Sequence, residues 1–157
     1  MENFDIKIQW EGSFSANEVV SQKNDPNNDY GLYQIYAKHI LCGDDALIYV
    51  GIVIDETFSE RLKKHWAEWL TREEGAKIFL GRVYNPERHS EADNWNSWTE
   101  DIQLAERILI YKYSPHYNNV GITNPPTLPC EIVRLIHNGE KHRLKTEDAA
   151  PRDFLLL

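Results

Sequence analysis

Cysteine, methionine and long apolar runs are all scarce in this chain. Of its 157 residues, two are cysteine and one is methionine. Cys42 and Cys130 stand alone, with no Cys-x-x-Cys pair, so the pattern suggests neither a zinc knuckle nor a disulfide framework. Two free thiols in a reducing compartment is the simpler expectation. The longest apolar run, Ala46 to Ile54, is broken only by Gly51; it suits a buried strand and is too short to cross a bilayer as a helix. The start, Met1-Glu2-Asn3-Phe4-Asp5, is acidic and lacks the basic and apolar parts of a signal peptide. The expectation is a soluble, cytoplasmic, single-domain protein with no membrane partner.

Basic residues are also in deficit, 17 against 25 acidic, for a net charge of −8. That balance argues against a protein coated for nucleic acid, because phosphate neutralisation drives such affinity. The deficit is uneven. Residues 1–30 and 31–60 each sum to −4, whereas residues 61–90 carry seven basic and four acidic side chains, for +3. The one basic stretch begins at Arg61.

What is plentiful is aromatic and β-branched. Phe4 to Trp10 alternates apolar and polar, the period of a half-buried strand. Ser15 with Glu18 three residues on marks a short helix start. Asn24 to Asp29 is a turn cluster. Tyr30–Ala37 and Leu47–Ile54 read as strands, and Cys42-Gly43-Asp44-Asp45 between them supplies the turn of an antiparallel pair. Thr57 or Ser59 caps a helix to about Thr71, with Phe58, Leu62, His65, Trp66, Trp69 and Leu70 on its inner face. Ala76–Val83 is a third strand, and Tyr84–Trp98 a loop or insertion. A second helix runs from Glu100 to about Tyr113, with Ile102, Ala105, Ile108 and Leu109 inward, and Pro115 ends it. Thr123–Pro129 is linker. Glu131–His137 and Glu140–Leu144 flank Asn138-Gly139, a hairpin signal.

Gly31-Leu32-Tyr33, followed by Tyr49-Val50-Gly51, resembles the paired tripeptides that name the GIY-YIG nucleases. Arg61 on the next helix matches the family arginine, and His65 four residues on matches a histidine used by some restriction enzymes of the family. Glu106, then Pro115-His116-Tyr117-Asn118, resembles the closing motif of a glutamate followed by Pro-x-x-Asn. Taken singly, each is ordinary: a tyrosine on a strand packs, and a glutamate on a helix is solvated. Five in order, over residues 30–119, make the resemblance.

The resemblance implies an α/β (α+β) fold with a small three-stranded antiparallel central sheet flanked by helices, in β-β-α-β-α order. An added N-terminal strand and short helix (1–29) and a C-terminal linker and hairpin (120–157) lie outside it. It implies a metal-dependent endonuclease hydrolysing DNA. Glu106 would hold one Mg²⁺ or Mn²⁺, completed by water and phosphate oxygens. Arg61 would lay its planar cation on the scissile phosphate. Tyr33 would orient or deprotonate the attacking water, Tyr49 would hydrogen-bond in the same site, and Asn118 would support it. Because a free tyrosine has a pKa of about 10, a tyrosine base needs positive charge nearby; Arg61, His65, Lys38 and the metal are the candidates. Tyr33 and His65 both stand as the general base. Arg61, Lys63, Lys64, Arg72, Lys77 and Arg82 are the candidate phosphate track. A homodimer is allowed, and RNA stays open as a substrate. The competing reading is an inactive module of this type, binding nucleic acid or a protein through Trp95-Asn96-Ser97-Trp98.

Overall fold

The computed structural model of the protein describes residues 4–84, 94–119, 121, 124–129 and 132–151. The strands are β1 (Phe4–Phe14), β2 (Gly31–His39), β3 (Gly43–Val53), β4 (Lys77–Tyr84), β5 (Ile132–Gly139) and β6 (Glu147–Pro151); the helices are α1 (Ala16–Gln22), α2 (Phe58–Glu68) and α3 (Asn94–Tyr113). All six strands form one sheet in the order β3-β2-β4-β1-β5-β6. β1 pairs parallel with β5 and the other neighbours pair antiparallel.

This overturns the expected three-stranded central sheet. Its three strands are here half of a six-stranded mixed sheet, and β1 lies inside that sheet between β4 and β5. The physical reason is edge satisfaction. β4 and β5 each offer a row of backbone donors and acceptors that must be paired or solvated, and β1 pairs with both. Alternation in β1 correctly placed Ile6, Ile8 and Trp10 in the core, but alternation reports faces and is silent about neighbours.

Two apolar layers flank the sheet. α1 and α2 cover one face, over Tyr33, Ile35, Ile48, Val53, Ile78 and Leu80. α3 covers the other through Ile102, Ala105, Ile108 and Leu109, over Ile8, Trp10, Leu32 and Val50. Ser15 caps α1 in a reciprocal capping box with Glu18, and the Thr57 side chain caps α2. α3 begins at Asn94, six residues before the sequence expectation; the loop expected before it lies in part, at 85–93, outside the described residues. Asn138-Gly139 is not a hairpin turn: both belong to β5, and β6 begins only at Glu147. The β5 strand continues because β1 still pairs it there, through Gln9 opposite Asn138 and Trp10 opposite Gly139. Trp66 is solvent-facing rather than inward. Among the described residues no helix is long and apolar enough to cross a membrane.

A buried polar chain ties the second half of the sheet to α3. Trp10 Nε1 donates to His137 Nδ1 (3.0 Å), leaving His137 Nε2 to face Asp148 (2.9 Å), whose carboxylate also accepts from Tyr113. Each of these polar side chains is thereby partnered, as burial requires.

Candidate active site

Gly31 lets β2 close on β4, and Gly51 explains how two tyrosines fit side by side. Gly31 sits at φ +141°, and a Cβ there would run into the carbonyl oxygen of Gly81 on β4. Gly51 pairs directly with Tyr33 across β2 and β3. A Cβ on Gly51 would overlap the Tyr33 ring end and lie 2.8 Å from Tyr49 Cε1. Glycine therefore makes room for the phenol opposite. A register shift beside Ile35 and Tyr49 leaves an extra residue in β3, a device that re-aims side chains next to it. The Tyr33 and Tyr49 rings stack with centroids 5.9 Å apart.

Tyr33 is fully buried and Tyr49 is half-buried. Of the pair, Tyr49 is therefore the one that reaches the cleft surface. Behind them runs a directed hydrogen-bond chain. Trp69 Nε1 donates to His65 Nδ1 (3.1 Å), and His65 Nε2 lies 2.6 Å from the Tyr33 hydroxyl. Indole nitrogen only donates, so His65 Nδ1 is the acceptor and its proton sits on Nε2. Nε2–H then donates to Tyr33, whose ring stacks on that of Tyr49.

The electrostatics follow from burial. Desolvation and the neighbouring Arg61 lower the His65 pKa to about 4, so this ring is neutral near pH 7. It cannot supply the positive charge that a tyrosinate needs. Burial also pushes Tyr33 well above the usual tyrosine value and raises Tyr49, with Arg61 working in the opposite direction on both. Lys38 is exposed at the end of β2, 3.9 Å from Glu74, and is not among the charges acting on Tyr33 or Tyr49.

Glu106 comes from α3, on the opposite face of the sheet from α2. It nevertheless lines the same cleft as Tyr49, with Arg107, Ile110, Tyr117, Asn118, Asn119 and Gly121. The residues are gathered around the edge strand β3. Burial raises the Glu106 pKa to about 7, opposed by the charges of Arg107 and Arg61. Asn118 is committed to the strand edge: its Oδ1 accepts from the Val50 amide (3.0 Å) and its Nδ2 donates to the Val50 carbonyl (2.9 Å). It straps the segment after α3 to the residue next to Tyr49.

Arg61 is drawn elsewhere. Its guanidinium is ion-paired with Glu56, which also holds Lys64 at 2.7 Å. These three line a neighbouring hollow with Ile52, Ile54 and Asp55. Burial disfavours the Glu56 anion, but Lys64 and Arg61 outweigh it and hold the pKa below the usual carboxylate value. Other members of the expected phosphate track are also paired: Lys77 with Asp45, and Arg82 with Asp29 and Glu11. Arg72 donates to the Glu68 carbonyl, and Lys63 is exposed. Trp98, from the alternative aromatic surface, is half-buried against the core, its ring 6.5 Å from Tyr30; the side chains of Trp95, Asn96 and Ser97 lie outside the described residues.

Three site residues escaped the sequence: Glu56, Arg107 and Trp69. Only Trp69 left a usable signal there, the i,i+4 spacing from His65 that lets two helix side chains meet. Glu106 fits a hard divalent cation as a half-buried carboxylate with no hydrogen-bonded or ion-paired partner among the described residues. No protein-family model, curated protein or solved structure matches the chain.

Proposed function

We propose that this chain is a divalent-metal-dependent endonuclease that hydrolyses DNA phosphodiester bonds by attack of an activated water, and that it is kin to the GIY-YIG nucleases. The observation that carries this reading is Glu106. A carboxylate raised to about 7, facing the cleft that Tyr49 lines and lacking a bonded cation, is stabilised by whatever positive charge arrives. Mg²⁺ or Mn²⁺ bound there would supply Lewis acidity at a phosphoryl or leaving oxygen.

The chain's own groups do the rest by position. Tyr49 presents its hydroxyl to the attacking water. Tyr33 stacks on Tyr49 and is itself held by the consecutive hydrogen bonds from Trp69 to His65 and from His65 to Tyr33. Arg61 is the phosphate cation, once phosphate oxygens replace the Glu56 carboxylate. Asn118 fixes the edge strand from which Tyr49 projects. In this arrangement the water oxygen bonds to phosphorus as the bond to the 3′ oxygen breaks, the proton lost by the water passing through solvent to the departing 3′ oxygen, and positioning with charge stabilisation supplies the catalysis.

A second reading keeps the site without turnover: a module that binds nucleic acid or a protein. The pairing of Arg61 and Lys64 with Glu56 and the net charge of −8 favour it. Plasmid incubated with Mg²⁺ or Mn²⁺, beside a Glu106→Ala control, separates the two. Nicking that disappears in the control is expected. No nicking across supercoiled, branched and single-stranded DNA, or nicking that survives the substitution, defeats the endonuclease reading. An RNA arm reads the remaining substrate class.

A further inference from the structure

Away from Glu106, three side chains with metal-binding chemistry meet at the tip of the β2–β3 hairpin. His39 ends β2, Cys42 lies in the turn, and His116 follows α3; one ligand atom from each lies within 4.8 Å of the other two. Cys42 Sγ is 2.9 Å from His116 Nε2, and the two imidazoles stack with centroids 4.1 Å apart and planes 11° from parallel. The Leu41 amide donates to His39 Nδ1 at 3.2 Å.

We propose that His39, Cys42 and His116 form a zinc site, with water as the fourth ligand. The donor set is one thiol and two imidazoles, borderline-soft ligands suited to Zn²⁺ and poorly suited to Mg²⁺ or Ca²⁺. With Zn–S of about 2.3 Å and Zn–N of about 2.0–2.1 Å, a tetrahedral ion needs S···N separations of about 3.6 Å and N···N of about 3.3 Å. Those values fall between the present thiol–imidazole contact and the 4.8 Å limit of the cluster. The stacked rings must rotate out of parallel for their in-plane lone pairs to meet at one ion, while the ligand-atom separations are already of the required order. Cys42 and His116 are exposed and His39 is half-buried, so the cation has a route in and water has room to complete its shell.

The turn has a structural use for such an ion. Ile40 and Leu41 between the ligands are 95% and 86% exposed, so apolar burial does little to hold the hairpin tip. Zinc would tie that tip to the segment that carries Tyr117 and Asn118. The Tyr117 amide already bonds the Ile48 carbonyl (2.8 Å), and the Asn118 side chain bonds Val50. Binding displaces the thiol proton, so affinity rises with pH. The chain lacks the Cys-x-x-Cys spacing that announces zinc in a sequence. The signal here is a His-x-x-Cys pair completed by a histidine 74 residues beyond Cys42.

The test uses the full chain without an affinity tag, stripped by chelator and titrated with Zn²⁺ against a chromophoric competitor. One equivalent binding with Kd of about a micromolar or tighter is expected, weakened about tenfold or more in Cys42→Ser and in His116→Ala. Co²⁺ in place of zinc should give a sulfur-to-metal charge-transfer band that Cys42→Ser loses. Zinc should raise the unfolding temperature of the wild type and leave that of Cys42→Ser unchanged. Glu106→Ala should keep the site intact, which separates it from the proposed catalytic cation. Absence of one-to-one binding, or binding that persists in Cys42→Ser or vanishes in Glu106→Ala, overturns the proposal.

Discussion

Trp69 Nε1 donates to His65 Nδ1 at 3.1 Å, and this one bond decides where the imidazole proton resides. The neutral ring must then present Nε2–H to Tyr33. A tryptophan read from the sequence as part of an apolar helix face is thus the fixed end of a polar chain reaching the cleft.

Trp69→Phe keeps the ring bulk and removes the donor. His65 is expected to show the Nε2–H tautomer at every pH above about 5 in the wild type, and a tautomer mixture in the variant, read by imidazole ¹⁵N shifts. The nicking rate is expected to fall about tenfold, with a stability loss of about 1 kcal/mol. A variant whose tautomer and rate are unchanged would show that the chain does not position Tyr33.

Glu106 is expected to destabilise the protein it serves. Its pKa rises from 4.5 unfolded to about 7 folded, so the folded state keeps a proton that the unfolded chain gives up between those values. Its contribution to stability is complete below about 4.5 and is lost as pH rises through about 7. Glu106→Gln, which mimics the protonated acid, should unfold at a higher temperature than the wild type at pH 8 in chelator. The advantage should shrink as pH falls to 5. A pH-independent gap, or a less stable variant at pH 8, contradicts the burial argument.

Glu56 holds both Arg61 and Lys64, so under the proposed endonuclease reading it would compete with DNA for them. Glu56→Gln is expected to tighten DNA binding about two- to tenfold at low salt and to steepen its salt dependence, because two more cations meet phosphate. Titration of a labelled duplex at several salt concentrations reads both. Weaker binding would mean that Glu56 positions Arg61 productively.

Gly51→Ala places a methyl group where the Tyr33 ring end now sits. Overpacking of this kind costs about 1–3 kcal/mol, and here the cost falls on the site itself. Denaturant unfolding should show the loss, and activity should fall further than stability alone explains. A fully active, fully stable Gly51→Ala would mean that the close approach is not needed.

What the sequence disclosed and what it hid divide along a physical line. Local rules were readable: the Ser15–Glu18 capping box, a cap for α2 at Thr57 or Ser59 (Thr57 in the structure), and alternation in β1 all depend on residues near one another in the chain. Sheet order was not, because Phe4–Phe14 has the same pattern whether it lies at an edge or between two neighbours. The site divided in the same way. The resemblance nominated Tyr33, Tyr49, Arg61, His65, Glu106 and Asn118, and the structure brings Tyr33, Tyr49 and His65 into contact, with Tyr49, Glu106 and Asn118 lining one cleft. The restraint of Arg61 by Glu56 and the full burial of Tyr33 were hidden. Both depend on how a side chain's neighbours are arranged in space.

The parallel pairing of β1 with β5 sets an order of events during synthesis. Phe4 faces Val133 and Trp10 faces Gly139, so β1 must wait until β5, 129 residues further along, is made before its second edge is closed. Until then it presents an open β edge with Ile6, Ile8 and Trp10 beside it, a surface prone to pair with other chains. Contacts of such long sequence separation also slow folding. The nascent chain is therefore expected to depend on chaperones until residue 139 has left the ribosome, and truncation before Ile132 should yield aggregate rather than a smaller folded protein.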